Sequence, residues 1–188
     1  MIYLASASPR RQELLRQLGI AFEAVAANLS EVRAVGETPE NYVLRLARDK
    51  ARHVAQQTHV SRPVLGADTE VVLDGEVFGK PRDGAHALAM LRRLQGRTHE
   101  VLTAVVLACG EREYTALSRS RVTVVPMTDA EIAAYWATGE PADKAGAYAV
   151  QGRAAAYIKH LEGSYSGVMG LPLCEVAQLF KDAGLTPG

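Results

Sequence analysis

Apolar residues recur at two periods along this chain, and the switches between them mark out its elements. Met1 to Leu4 is a short apolar run that predicts a strand. Ser8 is suited to cap a helix and Pro9 to open it, and Leu14, Leu15 and Leu18 then repeat at helical spacing up to Gly19. Phe22 to Ala26 predicts a second strand, followed by a polar loop carrying Glu31 and Arg33. Thr38-Pro39-Glu40 starts a helix that should run to about Gln57, with Val43, Leu46, Ala47, Ala51 and Val54 on its apolar face. Pro63 to Leu73 is a strand closed by the hairpin turn Asp74-Gly75, and Glu76 to Phe78 returns along it. A helix over Asp83 to Leu94 precedes two long strands, Thr98 to Ala108 and Tyr114 to Val125, that turn at Gly110. Thr128 with Glu131 is a capping box for a short helix through Trp136. Gly139 to Gly152 reads as loop, Ala154 to Leu161 as strand, and Gly163 to Gly170 as a flexible turn region. Pro172 then opens a last helix that ends before Gly184. Strands and helices alternate irregularly, with antiparallel hairpins included, so the fold class is mixed α/β rather than plainly doubly wound.

Composition narrows the function classes. At 48% apolar and 22% charged residues, the 188-residue chain has the make-up of a globular protein with a full core. Lys plus Arg and Asp plus Glu balance at 21 each, so no global basic field holds nucleic acid or an acidic membrane, and any anion site is local. No apolar run approaches membrane-spanning length and no signal peptide opens the chain, so a cytoplasmic setting is expected. Cys109 and Cys174 have no metal-type spacing and sit among apolar neighbours, which predicts buried free thiols. The five histidines show no paired spacing, against a histidine-held zinc.

Several polar residues stand where the apolar periods predict an interior. Arg10 and Arg11 lie in the first turn of a helix whose N-terminus attracts anions, and Arg11 points along the apolar stripe. A phosphate-bearing ligand and an ordinary helix with solvated arginines explain this equally. Lys50 falls on the apolar face of its helix, either snorkelling past the core edge or meeting a buried anion. Asp68 interrupts an apolar strand, beside the small Gly66 and Ala67, as a general base, a cation ligand or a structural aspartate. Glu70 shares its face and is expected to meet water. Lys80, Lys144, Gln151 and Ser164 to Ser166 adjoin breaks in regular structure. There is no glycine-rich phosphate loop and no dinucleotide fingerprint, and the lack of a nucleophile elbow or of a cysteine with a matched base argues against a covalent mechanism. Cations around a few acids imply water attacking a phosphoanhydride with an acid and a metal.

The ordered segments Ala5 to Arg11 with Glu13-Leu14-Leu15, Leu46 to Ala51, Gly66 to Thr69, Gly79 to Pro81 and Gly96 to Val101 resemble the Maf family of nucleoside triphosphate pyrophosphatases. Asp143 to Tyr148 through Gly152, and Gly163 to Tyr165 before Gly170-Leu171-Pro172, complete the set. The resemblance implies one Maf-like domain over residues 1–188. Two lobes would share an elongated, bent sheet, as in inosine triphosphate pyrophosphatases, with a nucleotide in the cleft between them. It implies hydrolysis of a nucleoside triphosphate to the monophosphate and pyrophosphate with a divalent cation, Mg²⁺ or Mn²⁺. Asp68 matches the family's proton acceptor. Ser6, Arg11, Glu31, Lys50 and Lys80 match its phosphate- and metal-handling positions, with Glu31 and Asp68 on the metal.

Arg10, Thr69 and Gln151 match the specificity positions of the dTTP/UTP branch, where the branch acting on 7-methyl-GTP carries Trp, Gln and Glu. A glutamine amide can both donate to and accept from the edge of uracil or thymine. Glu70 departs from the family's usual apolar residue. The resemblance also implies a homodimer, and the balanced charge speaks against stable nucleic-acid or membrane partners. The rival readings are a non-catalytic nucleotide- or nucleic-acid-binding regulator of cell division and, more remotely, a phosphotransferase.

Overall fold

The computed structural model describes residues 1–58 and 62–185. Its elements are β1 (Ile2–Ala5), α1 (Pro9–Gln17), β2 (Phe22–Ala24), α2 (Pro39–Thr58), β3 (Val64–Leu73), β4 (Glu76–Phe78), α3 (Gly84–Leu94), β5 (Thr98–Cys109), β6 (Arg112–Val124), α4 (Asp129–Trp136), β7 (Ile158–Glu162), α5 (Tyr165–Met169) and α6 (Leu173–Asp182). Short 3₁₀ turns over Glu140–Asp143, Ala145–Ala147 and Arg153–Tyr157 fill the stretch between α4 and β7.

Among the described residues the strands form one seven-stranded mixed sheet in the order β2-β1-β3-β5-β6-β7, with β4 also on β3. β1 runs parallel to β2 and β3, and the other pairs are antiparallel. The mixed α/β expectation therefore holds, including the β3–β4 hairpin at Asp74-Gly75 and the long β5–β6 hairpin.

Strand alternation distributes the core. Leu65 and Ala67 of β3 join Leu4, Leu14, Leu15, Val105, Leu107 and Phe180 beneath α1 and α6. Val71 and Leu73, on the same face, belong to a separate cluster with Leu91 and Leu94 of α3, Ile132 and Tyr135 of α4, and Tyr148. Val64 and Val72 face the other way and pack with Val43, Ala47, Ala51 and Val54 of α2. A fully buried leucine such as Leu15 or Leu65 contributes about 1.5–3 kcal/mol. Gly66 is required by the closeness of α2. A Cβ there would lie 2.9 Å from the Ala51 Cβ and strike the Ala47 carbonyl oxygen.

The edges of β3 differ. One is paired with β5 without interruption from Val64 to Val72. On the other, β1 pairs with Val64 to Gly66, and β4 resumes pairing only at Val71. Residues 67–70 thus face a break between two strands that come from separate parts of the chain.

Three expectations are corrected. Residues 154–157 form a 3₁₀ turn, and β7 begins only at Ile158. The predicted turn region 163–170 contains the helix α5, capped by Ser164, whose Oγ accepts from the Gly167 N–H at 2.9 Å. Cys109 is only half-buried and Cys174 is exposed, because the inward stripe of α6 is carried by Val176, Leu179 and Phe180.

Candidate active site

The break in the β3 edge opens into a cleft of about 650 Å³. Its lining includes Ser6, Arg10, Arg11, Glu31, Lys50, Asp68, Thr69, Lys80 and Gln151, so the structure brings together the residues to which the resemblance gives a role, while Ser164 to Ser166 do not line it. Glu70, Lys144, Tyr42 and Tyr148 line it as well.

α1 supplies the first cation. Ser8 caps the helix, its Oγ accepting from the Arg11 N–H at 3.5 Å, with Pro9 at the first turn. The Arg11 Nε donates to the Gly170 carbonyl at 2.8 Å and an Nη to the Thr69 hydroxyl at 3.1 Å. The Thr103 hydroxyl lies 3.0 Å from that of Thr69 and donates to the Gly167 carbonyl at 2.7 Å. α5, invisible as a helix in the sequence, thus fixes the Arg11 guanidinium through backbone carbonyls. Burial lowers the pKa of Arg11, opposed by nearby Asp68. An arginine remains charged regardless.

α2 supplies the second. Its Lys50 is 8% exposed and does not snorkel. Its ammonium lies 2.6 Å from Asp68 Oδ1 and 2.6 Å from Glu31 Oε1. Tyr42, two turns earlier on the same face, donates its hydroxyl to the Glu31 carbonyl at 3.0 Å. Tyr42 was missed in the sequence, although its i, i+4, i+8 spacing with Leu46 and Lys50 was available as a signal.

Two carboxylates stand on the α2 face of β3. Asp68 and Glu70 are 4% and 5% exposed, so the expectation that Glu70 meets water is overturned. Their neighbours across the strand pair are Ala104 and Leu102, both fully buried and unable to hydrogen-bond through their side chains. Burial pushes the Asp68 carboxyl above its ordinary range, against the pull of Lys50 and Arg11. Burial, reinforced by Asp68 and Glu31, pushes Glu70 up to about 8. For Glu31 burial also acts upward, but the Lys50 hydrogen bond and charge outweigh it and hold the carboxyl below its usual value. Asp68 Oδ2 and Glu70 Oε2 are buried without a hydrogen-bond partner.

The opposite wall is the 143–151 segment. Gly146 and Ala147 both have positive φ, 67° and 59°, and a Cβ on Gly146 would lie 2.9 Å from Val71. Behind this wall, the Tyr135 hydroxyl donates to Glu140 Oε1 at 2.6 Å and accepts from the Ala149 N–H at 3.1 Å. Glu140 Oε2 also accepts from the Arg153 N–H at 2.9 Å, so one carboxylate ties both sides of Gln151. His99 Nε2 and the Tyr148 hydroxyl lie 2.7 Å apart in the interior.

Cations from α1, α2 and the β4 arm, facing two buried carboxylates in one cleft, make this a mixed α/β protein with a site built for a polyanion. The chain belongs to the Maf family: the family description "Maf-like protein" matches residues 1–183. A relative from Xanthomonas oryzae pv. oryzae, named dTTP/UTP pyrophosphatase, is 56% identical over 188 residues, covering 98% of this chain and 99% of its own. One of the same name from Escherichia coli O157:H7 is 51% identical over 181 residues, covering 96% and 92%. The solved Ham1 protein of Staphylococcus aureus overlaps more loosely, with a TM-score of 0.46 at 15% identity over 68% of this chain and 72% of its own. The family assignment rests on the first three matches alone.

No helix among the described residues is long and apolar enough to cross a membrane.

Proposed function

We propose that this protein is a dTTP/UTP pyrophosphatase, hydrolysing the α–β phosphoanhydride to release the nucleoside monophosphate and pyrophosphate. The observation that carries the reading is the meeting of Arg11, Lys50 and Lys80 with the buried Asp68 in one cleft, in a chain whose relatives bear that name. Close kin with modified uridines are within the same substrate class.

In this reading Asp68 takes the proton of the attacking water. The apolar flank that raises its carboxyl suits it to hold that proton. Arg11, Lys50, Lys80 and the Ser6 hydroxyl receive phosphate oxygens and offset the charge that gathers on the leaving pyrophosphate. Arg11 is held by Gly170 and Thr69 before substrate arrives, so little reorganisation accompanies binding. Arg10, Thr69 and Gln151 read the nucleoside. The Gln151 amide offers both a donor and an acceptor to a pyrimidine edge that carries both, and leaves the wrong base unpaired.

A divalent cation, Mg²⁺ or Mn²⁺, fits the donor set. Two buried carboxylate oxygens lack partners, and hard cations take oxygen ligands, commonly one or two carboxylates with substrate phosphates. No cluster of three or more His, Cys, Asp or Glu suited to a metal occurs among the described residues, so substrate oxygens and water would complete the shell. Glu31 and Asp68 are the side chains the resemblance assigns to it. When bound, the cation supplies Lewis-acid polarisation of the phosphates.

The proposal includes a chain that works as one unit over 1–188, with two lobes on a common sheet, in the cytoplasm and as a homodimer. The test is pyrophosphate release from a nucleotide panel with Mg²⁺. dTTP and UTP should turn over far faster than dCTP, GTP or 7-methyl-GTP, and equal rates across the panel would remove the specificity claim. Asp68→Asn should fold normally and lose at least about 100-fold in turnover. A wild-type rate in that variant would take Asp68 out of its role.

A further inference from the structure

The cleft contains a buried acidic group that the reading above does not use. Glu70 follows Asp68 by two positions on β3 and shares its face, which sets the two Cα atoms about 6.7 Å apart along the strand. Both side chains line the cleft, both are more than nine-tenths buried, and each has one carboxylate oxygen with no partner. An oxygen so placed costs free energy unless something in the cleft meets it. Lys50 does not resolve this, because its ammonium takes Asp68 Oδ1 and Glu31 Oε1 and leaves Asp68 Oδ2 and Glu70 Oε2 free. Glu31 is the poorer partner for a metal. Lys50 lies 2.6 Å from an oxygen of both Asp68 and Glu31, but the buried cleft oxygens left without a partner belong to Asp68 and Glu70, whereas the Glu31 side chain is 38% exposed and has none. The backbone also favours the pair on β3. Residues 67–70 face the break between β1 and β4, so no strand covers that edge, and the two oxygens, closed to solvent here, need only side chains of the cleft wall to shift for a ligand to reach them. Gly79 adjoins the same spot, since a Cβ there would lie 3.9 Å from Glu70 Oε2.

We infer that Asp68 and Glu70, rather than Asp68 and Glu31, are the protein's carboxylate ligands for the divalent cation that accompanies the triphosphate. This rests on the pyrophosphatase reading and makes it specific. Glu31 instead holds Lys50 in place, as a positioning residue.

The assignment is read directly from metal binding. Mn²⁺ is titrated into wild type, Glu70→Gln and Glu31→Gln in the presence of a non-hydrolysable α,β-imido UTP, with free Mn²⁺ followed by electron paramagnetic resonance. Glu70→Gln should weaken Mn²⁺ binding at least about tenfold. Glu31→Gln, which removes only a nearby charge, should weaken it less than about threefold. The reverse order, or equal small effects, overturns the assignment. Crystals of wild type soaked with Mn²⁺ and the same analogue give a second reading that needs no variant to fold. An anomalous peak touching both Asp68 and Glu70 supports the assignment, and one touching Glu31 but not Glu70 overturns it. Wild-type UTP hydrolysis is assayed alongside. If UTP is cleaved while the metal ignores Glu70, the inference alone fails, whereas absence of pyrophosphate release removes the underlying function.

Discussion

The Lys50 ammonium meets Asp68 Oδ1 at 2.6 Å in the middle of β3, where neither residue exceeds 8% exposure. The aspartate's charge is tolerable there because the ammonium is present, whereas Lys50 keeps Glu31 as a partner when Asp68 is replaced. Lys50→Ala should therefore cost about 3–5 kcal/mol of stability in urea denaturation, much of it from stranding the aspartate. Lys50→Met with Asp68→Asn should recover most of that loss. A single variant within 1 kcal/mol of wild type would show that the pair is dispensable to the fold.

Gly66→Ala tests how that pair is brought together. The new methyl group would be driven against Ala51 and the Ala47 carbonyl, one turn before Lys50. α2 must lift, at a cost of about 1–3 kcal/mol. Urea midpoints should fall accordingly, and turnover of UTP should fall further than stability alone explains, because Lys50 moves with the helix. Unchanged denaturation and turnover would mean that the helix adapts freely.

His99 gives a pH dependence. Burial holds its imidazole down at about 4, below the ordinary 6.5. An imidazole whose folded pKa is depressed binds fewer protons folded than unfolded between those values, so its contribution is present above pH 6.5 and lost as the pH falls toward 4. Across that window wild type should lose up to about 3 kcal/mol relative to His99→Gln, measured as the difference between their pH–stability curves. Parallel curves would show that His99 titrates normally.

Tyr135→Phe removes the hydroxyl that joins Glu140 to the Ala149 N–H. A buried backbone donor is left unmet, at about 1–3 kcal/mol. If Gln151 reads the base, its loosened segment should narrow the ratio of kcat/KM for UTP over dCTP, mainly through KM. A fall in stability with the ratio intact would confine Tyr135 to packing.

Much of this was legible locally. The Ser8-Pro9 start, the Thr38-Pro39 start, the Asp74-Gly75 turn and the Thr128 to Glu131 box are short-range signals, and each lies where the sequence put it. Strand alternation also assigned Asp68 and Glu70 correctly to the same face. What it could not provide was depth. Glu70 is buried because α2 covers that face and Leu102 of β5 lies alongside, contacts made by residues far away in sequence. α5 escaped for a related reason. Ser164 to Gly170 has the composition of a turn, and its helix is secured by the cap and by Thr103 reaching in from β5. The roles of Ser6, Glu31 and Lys80 came from resemblance, since neither spacing nor periodicity distinguishes such residues from solvated ones.

The interruption along β3 separates strength from adaptability. The strand draws its cohesion from its long partnership with β5, while the mouth of the cleft is framed by two short, independent segments that contribute little to that partnership. Reshaping the 74–80 arm would thus shift Lys80, and with it a phosphate contact, while leaving the β3–β5 partnership untouched.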